Sequence, residues 1–191
     1  MKSPDPYTPG PASGAEVHKS DEATWTLVMV RDLKHPPERV WAALTDRAQL
    51  KEWAPFDSDQ NLGTAGTRAK LTTAGAPQAP VSETTVKRAE PPKLLEFNWG
   101  DWNVRWELEP QGANGTRLTL WTNINRHYIA MGAAGWHVCF DVLERLLGGQ
   151  PVGRIVGPQA MEFSGWHRLH AEYARLFGVQ TPGFPTSRAD P

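Results

Sequence analysis

The order of apolar and polar residues divides the chain into a strand-rich part followed by a helical part. Between residues 24 and 124, short apolar runs rich in β-branched and aromatic residues alternate with clusters of Gly, Pro, Asn and Asp. Runs of this kind predict β-strands, here at 24–30, 67–73, 81–88, 94–99, 102–108 and 117–124. Because short turns join successive strands, the sheet should be mostly antiparallel.

Two short helices are predicted between the first two of these strands. Pro36 and Pro37 lack a backbone N–H, so they fit best before or within the first turn of a helix. Asp46 offers a short polar side chain that can cap the second helix. The apolar residues recur at helical spacing and form one stripe across both helices: Val40, Trp41, Leu44, Leu50 and Trp53.

From about residue 131 the apolar spacing changes from two to near 3.6, which is typical of an α-helix. Gly148 and Gly149 end this helix, and the segment 150–158 is rich in Gly and Pro and should be irregular. Helical spacing then returns over 161–177. The first of these helices carries one stripe of large apolar side chains: Trp136, Phe140, Leu143 and Leu147.

Three stretches of the chain resemble a known family. Arg31 to Trp53 reads R-x-L-x-H-P-P-E-R-V-W-A-A-L-T-D-x-x-x-L-x-x-W, which resembles the opening of a START/polyketide-cyclase (SRPBCC) domain, in the branch named after the activator of heat-shock protein 90 ATPase. Gly135 to Leu147 resembles that branch's G-W-x-x-x-L-x-x-L-x-x-x-L helix, with Phe140 in place of the usual Leu. A weaker likeness, W-x-x-L-x-x-x-Y-x-x-x-F, runs from Trp166 to Phe177.

The resemblance implies an α+β helix-grip fold, in which a curved antiparallel sheet wraps around a long C-terminal helix. The two short helices between strands one and two would close one end of this grip. We expect one such domain over residues 23–178. Residues 1–22 and 179–191 are rich in Pro and poor in apolar residues, which predicts a disordered N-terminal tail and a flexible C-terminal tail.

Charge and composition narrow the functional classes. The 191 residues include 20 Lys and Arg against 21 Asp and Glu, and a net charge of −1 does not favour nucleic acid or anionic membranes as partners. No apolar window approaches the roughly 20 residues of a membrane span, and the first residues lack the apolar core of a signal peptide. A cytoplasmic protein is therefore predicted. Its oligomeric state is left open, with a homodimer among the options.

Residues for catalysis or metal binding form no recognisable set in the sequence. Cys139 is the single cysteine, and His137, two residues before it on a helix, would not face it. His167 and His170 can share a helical face, but no third ligand stands at helical spacing from them. We therefore predict no metal and no cofactor, and the sequence favours a protein without catalytic activity.

The helix-grip resemblance implies a space between sheet and helix that commonly holds apolar or amphipathic molecules. Nine Trp residues are available to line it, although a solid aromatic core is the commoner use of such side chains. The predicted wall comprises residues that alternation points at the long helix, residues of that helix, and a few near the mouth: Trp41, Trp53, Phe56, Phe97, Trp99, Val104, Trp106, Leu108, Leu118, Leu120, His127, Trp136, Phe140 and Leu143.

Three hypotheses for function follow. The first is a carrier or sensor that binds a small hydrophobic molecule in this cavity, and the sequence favours it. The second, implied by the name of the branch, is a cofactor that activates the ATPase of a chaperone partner. The third is a cyclase-like or hydrolase-like enzyme that uses a titratable group in the same cavity. Likeness of fold alone does not choose among them.

Overall fold

The computed structural model describes residues 5–76 and 78–180. In these ranges the strands are β1 (Ala15–Lys19), β2 (Thr24–Leu33), β3 (Phe56–Ser58), β4 (Arg68–Thr73), β5 (Val81–Thr85), β6 (Arg88–Glu90), β7 (Leu94–Trp99), β8 (Trp102–Gln111) and β9 (Gly115–Asn125). The helices are α1 (Pro37–Thr45), α2 (Arg47–Trp53), α3 (Ile129–Leu147), α4 (Pro158–Glu162) and α5 (Ser164–Phe177), and a 3₁₀ turn covers Arg126–Tyr128.

The strands form two antiparallel sheets that adjoin each other. Six strands form a curved sheet in the order β1-β2-β9-β8-β7-β6, and the others form the smaller sheet β3-β4-β5. The backbone N–H of Asn98 in β7 donates to Thr84 Oγ1 in β5 at 3.2 Å. The N–H of Gly100 likewise donates to Ser82 Oγ at 3.1 Å. These bonds join β5 to β7 and so connect the two sheets.

Helix α3 lies against the concave face of the large sheet, and α5 packs along α3. Alternation along β8 produces this contact, because Val104, Trp106 and Leu108 are buried while the residues between them are only half-buried. The predicted α+β helix-grip fold is therefore confirmed. No helix within 5–76 or 78–180 is both long enough and apolar enough to cross a membrane.

Helices α1 and α2 close one end of the grip, as predicted. Helix α2 is capped by Asp46, whose carboxylate accepts hydrogen bonds from the N–H groups of Ala48 at 2.8 Å and Gln49 at 3.1 Å. Trp53 at the end of α2 is buried, and its indole N–H donates to the carbonyl of Ala43 in α1 at 2.9 Å. This bond fixes the angle between the two helices.

The positions of the strands correct the sequence prediction in three places. The helices α1 and α2 follow β2, not the first strand, because β1 precedes them in the chain. The strand predicted at 81–88 is divided into β5 and β6, which belong to different sheets. Strands β8 and β9 are each longer than predicted, because their pairing continues to Gln111 and Gly115 at the connecting turn.

The N-terminal segment also differs from the prediction. Residues 1–22 are predicted as a disordered tail, but Ala15–Lys19 form β1 and pair with residues 25–29 of β2. The backbone of residues 9–13 forms hydrogen bonds with side chains of α5. Pro restricts the unfolded chain as well as the folded one, so a Pro-rich segment loses less entropy on ordering than composition suggests. Of the predicted C-terminal tail, residues 181–191 lie outside the described ranges.

An apolar cleft beside helix α3 as the candidate functional site

A cleft of about 460 Å³ opens beside the N-terminal half of α3. Three walls enclose it. The first is the face of α3 from Met131 to Cys139, and the second is the hairpin end of β7 and β8 together with residues 73–76. The third, which we call the outer wall, consists of residues 155–161 between α3 and α5.

The wall formed by α3 leaves space because its central residues are small. A Cβ atom placed on Gly135 would meet no other atom within 4 Å, so this position faces open space. Gly132, one turn earlier, is different, because a Cβ there would lie 2.6 Å from Ile124 Cδ1. Gly135 thus borders the cleft itself, and Gly132 allows the close approach of β9.

The hairpin wall is aromatic. The Trp99 ring centroid lies 5.4 Å from that of Trp102 and 6.3 Å from that of Trp136, and both pairs meet edge to face. The indole N–H of Trp99 donates to Thr73 Oγ1 at 3.2 Å, which holds the ring in position. Trp102 is 38% exposed and lies at the mouth of the cleft. Met161 of the outer wall also lines the cleft and is 41% exposed.

The outer wall is attached to the rest of the fold near its first residues. Arg154, the residue before the outer wall, forms a bidentate ion pair with Asp57 of β3, with N–O distances of 2.7 and 3.3 Å. Gly157 passes so close to Gly75 that a Cβ on Gly157 would lie 3.0 Å from the Gly75 carbonyl. Gly157 has a φ of +59°, which favours glycine as well.

The lining of the cleft carries almost no charge. Among the described residues that line it, Cys139 alone has an ionisable side chain, and burial raises the pKa of its thiol to about 12. Cys139 is therefore neutral at ordinary pH. Thr73 supplies a hydroxyl, and its oxygen already accepts the Trp99 hydrogen bond. The cleft can exclude water and surround an apolar molecule, but it has no acid and base pair for proton transfer.

Of the fourteen predicted wall residues, Trp99 and Trp136 line this cleft. Trp41 is half-buried and packs against the core, and His127 is exposed in the 3₁₀ turn. The structure places the other ten inside the core, each at most 3% exposed: Trp53, Phe56, Phe97, Val104, Trp106, Leu108, Leu118, Leu120, Phe140 and Leu143.

The aromatic members of this interior set fill the space by contacting one another. The Trp106 ring centroid lies 6.0 Å from that of Trp53, 5.9 Å from Phe140 and 5.5 Å from Trp136. Phe56 and Phe97 meet edge to face at 5.8 Å. The space predicted between sheet and helix is occupied here by side chains of the protein itself.

Sequence reasoning missed the residues that create the cleft. It did not select Met131 and Gly135 of α3, nor the outer wall around Met161. The available signals were the small residues in the first half of the helix and the Gly- and Pro-rich segment 150–158 that follows it. Both are sites where the backbone, not a large side chain, borders a space.

A buried polar cluster lies apart from the cleft lining, where α3 meets β2 and α5. Arg31 pairs with Asp141 at 2.6 Å, and His137 Nδ1 lies 2.7 Å from the hydroxyl of Tyr173. His137 Nε2 is 3.6 Å from Asp141. Burial lowers the pKa of His137 to about 4, so the imidazole is neutral at pH 7. Cys139 lines the cleft, whereas His137 does not.

The two histidines of α5, His167 and His170, contact groups that are not metal ligands. The His170 ring stacks on Trp166 with centroids 5.0 Å apart, and His167 Nε2 lies 2.5 Å from the Met161 carbonyl. Among residues 5–76 and 78–180, no three or more His, Cys, Asp or Glu side chains are grouped to hold a metal ion.

Comparisons with known proteins agree with this architecture. The family model described as Activator of Hsp90 ATPase homolog 1-like protein matches residues 34–148, which is more than half of the chain. The match includes α1, α2 and the cleft-lining half of α3 but ends before the outer wall. A search of curated proteins finds no match.

Solved bacterial structures share the fold. Protein MLL2253 from Mesorhizobium loti is 26% identical, with a TM-score of 0.55, over 66% of this chain and 99% of its own. The protein encoded by BPP1335 from Bordetella parapertussis is 24% identical, with a TM-score of 0.60, over 94% and 97%. EF2215 from Enterococcus faecalis, a conserved protein of unknown function, is 16% identical, with a TM-score of 0.63, over 87% and 92%.

Proposed function

Because the chain belongs to the Activator of Hsp90 ATPase homolog 1-like family, we propose that it binds a small, uncharged, apolar molecule in the cleft beside α3. Proteins of this fold family commonly bind hydrophobic ligands. The observation that carries the proposal is the cleft itself, a space of about 460 Å³ with an almost wholly apolar lining. Its size falls within the usual range for sites that bind small molecules.

The shape of the lining favours an aromatic or polycyclic occupant. Trp99 and Trp136 meet at right angles, and Trp102 stands edge-on to Trp99 at the mouth. Flat faces and edges of this kind surround a rigid ring system well, because aromatic groups attract one another edge to face. Met131 and Met161 add flexible side chains that can adapt to the outline of the ligand.

The electrostatics favour an occupant without charge. A carboxylate placed in the cleft would lose its hydration without gaining a cation, because no Lys or Arg is among the described lining residues. The Thr73 hydroxyl still has its proton to donate, so one hydrogen-bond acceptor on a ligand can be satisfied. We therefore expect the protein to prefer an apolar ring with at most one or two polar atoms.

The neutral fluorescent probe N-phenyl-1-naphthylamine tests the proposal. We expect its emission to rise on binding to the purified chain, and Gly135→Leu to abolish that rise by filling the open space next to Gly135. Ala171→Leu is the matched control, since it adds the same side chain at an exposed position of α5. If the probe does not bind, or if Gly135→Leu binds it as the wild type does, the cleft is not the site.

Competition then decides the charge preference. We expect 1-naphthol to displace the probe at least about tenfold more effectively than 1-naphthoate at pH 7, because the carboxylate must be desolvated without a partner. Equal displacement by the two compounds would contradict the preference for uncharged ligands, but it would not contradict binding in the cleft.

The other two functional hypotheses stay predictions. An enzyme of this fold would need titratable groups converging on the cleft, and among the described lining residues only the Cys139 thiol can ionise. Activation of a chaperone would be read out as a change in the ATPase rate of the host's own chaperone on addition of the purified chain.

A further inference from the structure

The N-terminal segment 5–14, which we call the strap, crosses the junction between α4 and α5. The carboxylate of Asp5 accepts hydrogen bonds from the N–H of Ser164, at 3.3 Å, and from its hydroxyl. The Tyr7 ring lies 5.1 Å from that of Phe163, centroid to centroid. Three strap residues thus touch three successive residues of the junction, because Pro9 lies directly on Gly165.

The contact between Pro9 and Gly165 depends on glycine. A Cβ atom on Gly165 would lie 2.5 Å from Pro9 Cδ, closer than non-bonded carbon atoms approach. Pro9 is buried although its neighbours Thr8 and Gly10 are exposed. Pro9 and Gly165 therefore fit together as a small, specific packing site on an otherwise exposed segment.

Side chains of α5 hold the strap by its backbone. Arg168 donates to the carbonyl of Gly10 at 3.0 Å and also to that of Pro9. Glu172 accepts from the N–H of Ala12 at 2.7 Å, and Tyr173 donates to the carbonyl of Ser13 at 3.1 Å. Main-chain groups that would otherwise face water are satisfied by one edge of α5.

The junction held by the strap, residues 163–165, begins two residues after the outer wall of the cleft ends at Met161. Phe163, Ser164 and Gly165 lie between Met161 and Trp166, which both line the cleft. At its near end the wall is fixed to the body of the protein through Arg154 and Asp57. The far end is held by α5, where His167 Nε2 lies 2.5 Å from the Met161 carbonyl, and by the strap. Release of the strap would therefore remove one of its two supports and loosen this end of the wall.

The strap is among the less firmly held parts of the described chain. Of residues 5–14 only Pro9 is buried, and Tyr7 and Ala12 are half-buried. Segments with few buried apolar groups open locally at lower free energy than the core. Strand β1, which follows, is held by a ladder of hydrogen bonds to β2 and need not open with it.

We propose that the strap is a latch on the cleft: docked on α5 it keeps the outer wall in place and the mouth narrow, and its release lets the wall move outward so that an apolar ligand passes in or out faster. This regulation rests on the proposed binding of a ligand in the cleft. The latch acts on the rate of exchange, because the strap does not line the cleft and has no direct contact with its occupant. A wall held in place then slows both association and dissociation.

The expected size of the effect follows from the contacts. Each lost hydrogen bond shifts an opening equilibrium by about fivefold. Arg168→Gln removes donors to two strap carbonyls, so we expect N-phenyl-1-naphthylamine to associate about 25-fold faster with this variant than with the wild type. Arg175→Gln is the matched control, because Arg175 is exposed on the same helix. Stopped-flow fluorescence measures both rates.

A reversible cross-link gives the opposite change. The side chains of Asp5 and Ser164 already touch, so the double variant Asp5→Cys, Ser164→Cys places two thiols at that contact. When these thiols are oxidised to a disulfide, the probe should associate at least about tenfold more slowly than after reduction. The wild type under the same oxidant is the control, because Cys139 is buried.

Hydrogen exchange separates failure of the latch from failure of the proposed function. If the wild type binds no probe, the proposed function fails, and the latch is judged by amide exchange alone. Faster exchange over residues 158–166 in Arg168→Gln, with α3 unchanged, would support the hold of the strap on the wall. Equal exchange rates over residues 158–166, or probe association that is the same in Arg168→Gln and Arg175→Gln, would overturn the proposal.

A second variant acts on the packing of the strap. Gly165→Ala pushes Pro9 away and should speed probe association and amide exchange as Arg168→Gln does.

Discussion

The two halves of helix α3 differ in what lies against them. In the C-terminal half, Phe140 and Leu143 are at most 1% exposed and pack into an aromatic interior around Trp106. In the N-terminal half, Met131 and Gly135 border a cleft that reaches the surface. Trp136 marks the boundary, since its ring touches Trp106 on one side and Trp99 on the other. One helix thus contributes both to a filled core and to a hollow.

The difference comes from side-chain size, not from polarity. Both halves are apolar, but the filled half presents Phe and Leu where the hollow half presents Gly132 and Gly135. Interiors are packed as densely as crystals, so a helix face with small residues leaves a space unless the opposite surface moves in. Here β9 moves in at Gly132, through Ile124, but nothing moves in at Gly135.

Substitution at the filled half should produce the largest loss of stability. Trp106→Ala removes a side chain that is 1% exposed and in contact with three other aromatic rings. We expect the free energy of unfolding to fall by about 3–5 kcal/mol, as measured by urea denaturation followed by circular dichroism. Trp102→Ala, at the mouth of the cleft, is the matched control and should lose less than about 1 kcal/mol. Similar losses in the two variants would mean that the two ends are not packed differently.

The sequence predicts the faces of the elements better than it predicts the space between them. Alternation along β8 places Val104, Trp106 and Leu108 on the buried face, and the helical stripe places Phe140 and Leu143 opposite them. The same pattern would describe a cavity wall or a solid core, because periodicity reports which side is apolar and carries no information on depth. The hollow depends on Gly135 and on the outer wall, neither of which has a periodic signature.

The strap could not be predicted for a related reason. Its residues are mostly polar, Pro or Gly, which in composition resembles a disordered tail. Its attachment depends on α5 side chains about 160 positions away in sequence, among them Glu172 and Tyr173. Local patterns do not reveal partners at that distance, and Pro9 gives no sign in the sequence that it faces Gly165.

His137, on the polar side of α3, should dominate the loss of folding stability in acid. Burial, with Arg31 and Arg168 in support, lowers the pKa of His137 to about 4, against the opposing effect of Asp141 and Glu172. In the unfolded chain the pKa is near 6.5, so between these values the unfolded state binds the extra proton. The stabilisation from neutral His137 is therefore complete above pH 6.5 and is lost as the pH falls to about 4, by about 3 kcal/mol.

Removing the imidazole checks this sign. In His137→Gln the free energy of unfolding should fall less between pH 6.5 and pH 4 than in the wild type, by about 3 kcal/mol. Urea denaturation at several pH values measures the two profiles. His127→Gln is the matched control, since His127 is exposed. If His137→Gln and the wild type have parallel profiles, the buried imidazole does not control the acid response.

The smallest effect compares two glycines of α3 that lie one turn apart. Gly135→Ala should raise the free energy of unfolding by about 0.5–1 kcal/mol, because alanine favours the helix and the added Cβ meets no atom within 4 Å. Gly132→Ala should give no such gain, because its Cβ would lie 2.6 Å from Ile124 Cδ1 and that side chain would have to shift. Thermal and urea unfolding of the two variants side by side measure the difference. An equal gain in the free energy of unfolding at both positions would show that Ile124 of β9 does not restrict the space at Gly132 any more than the open space at Gly135 is restricted.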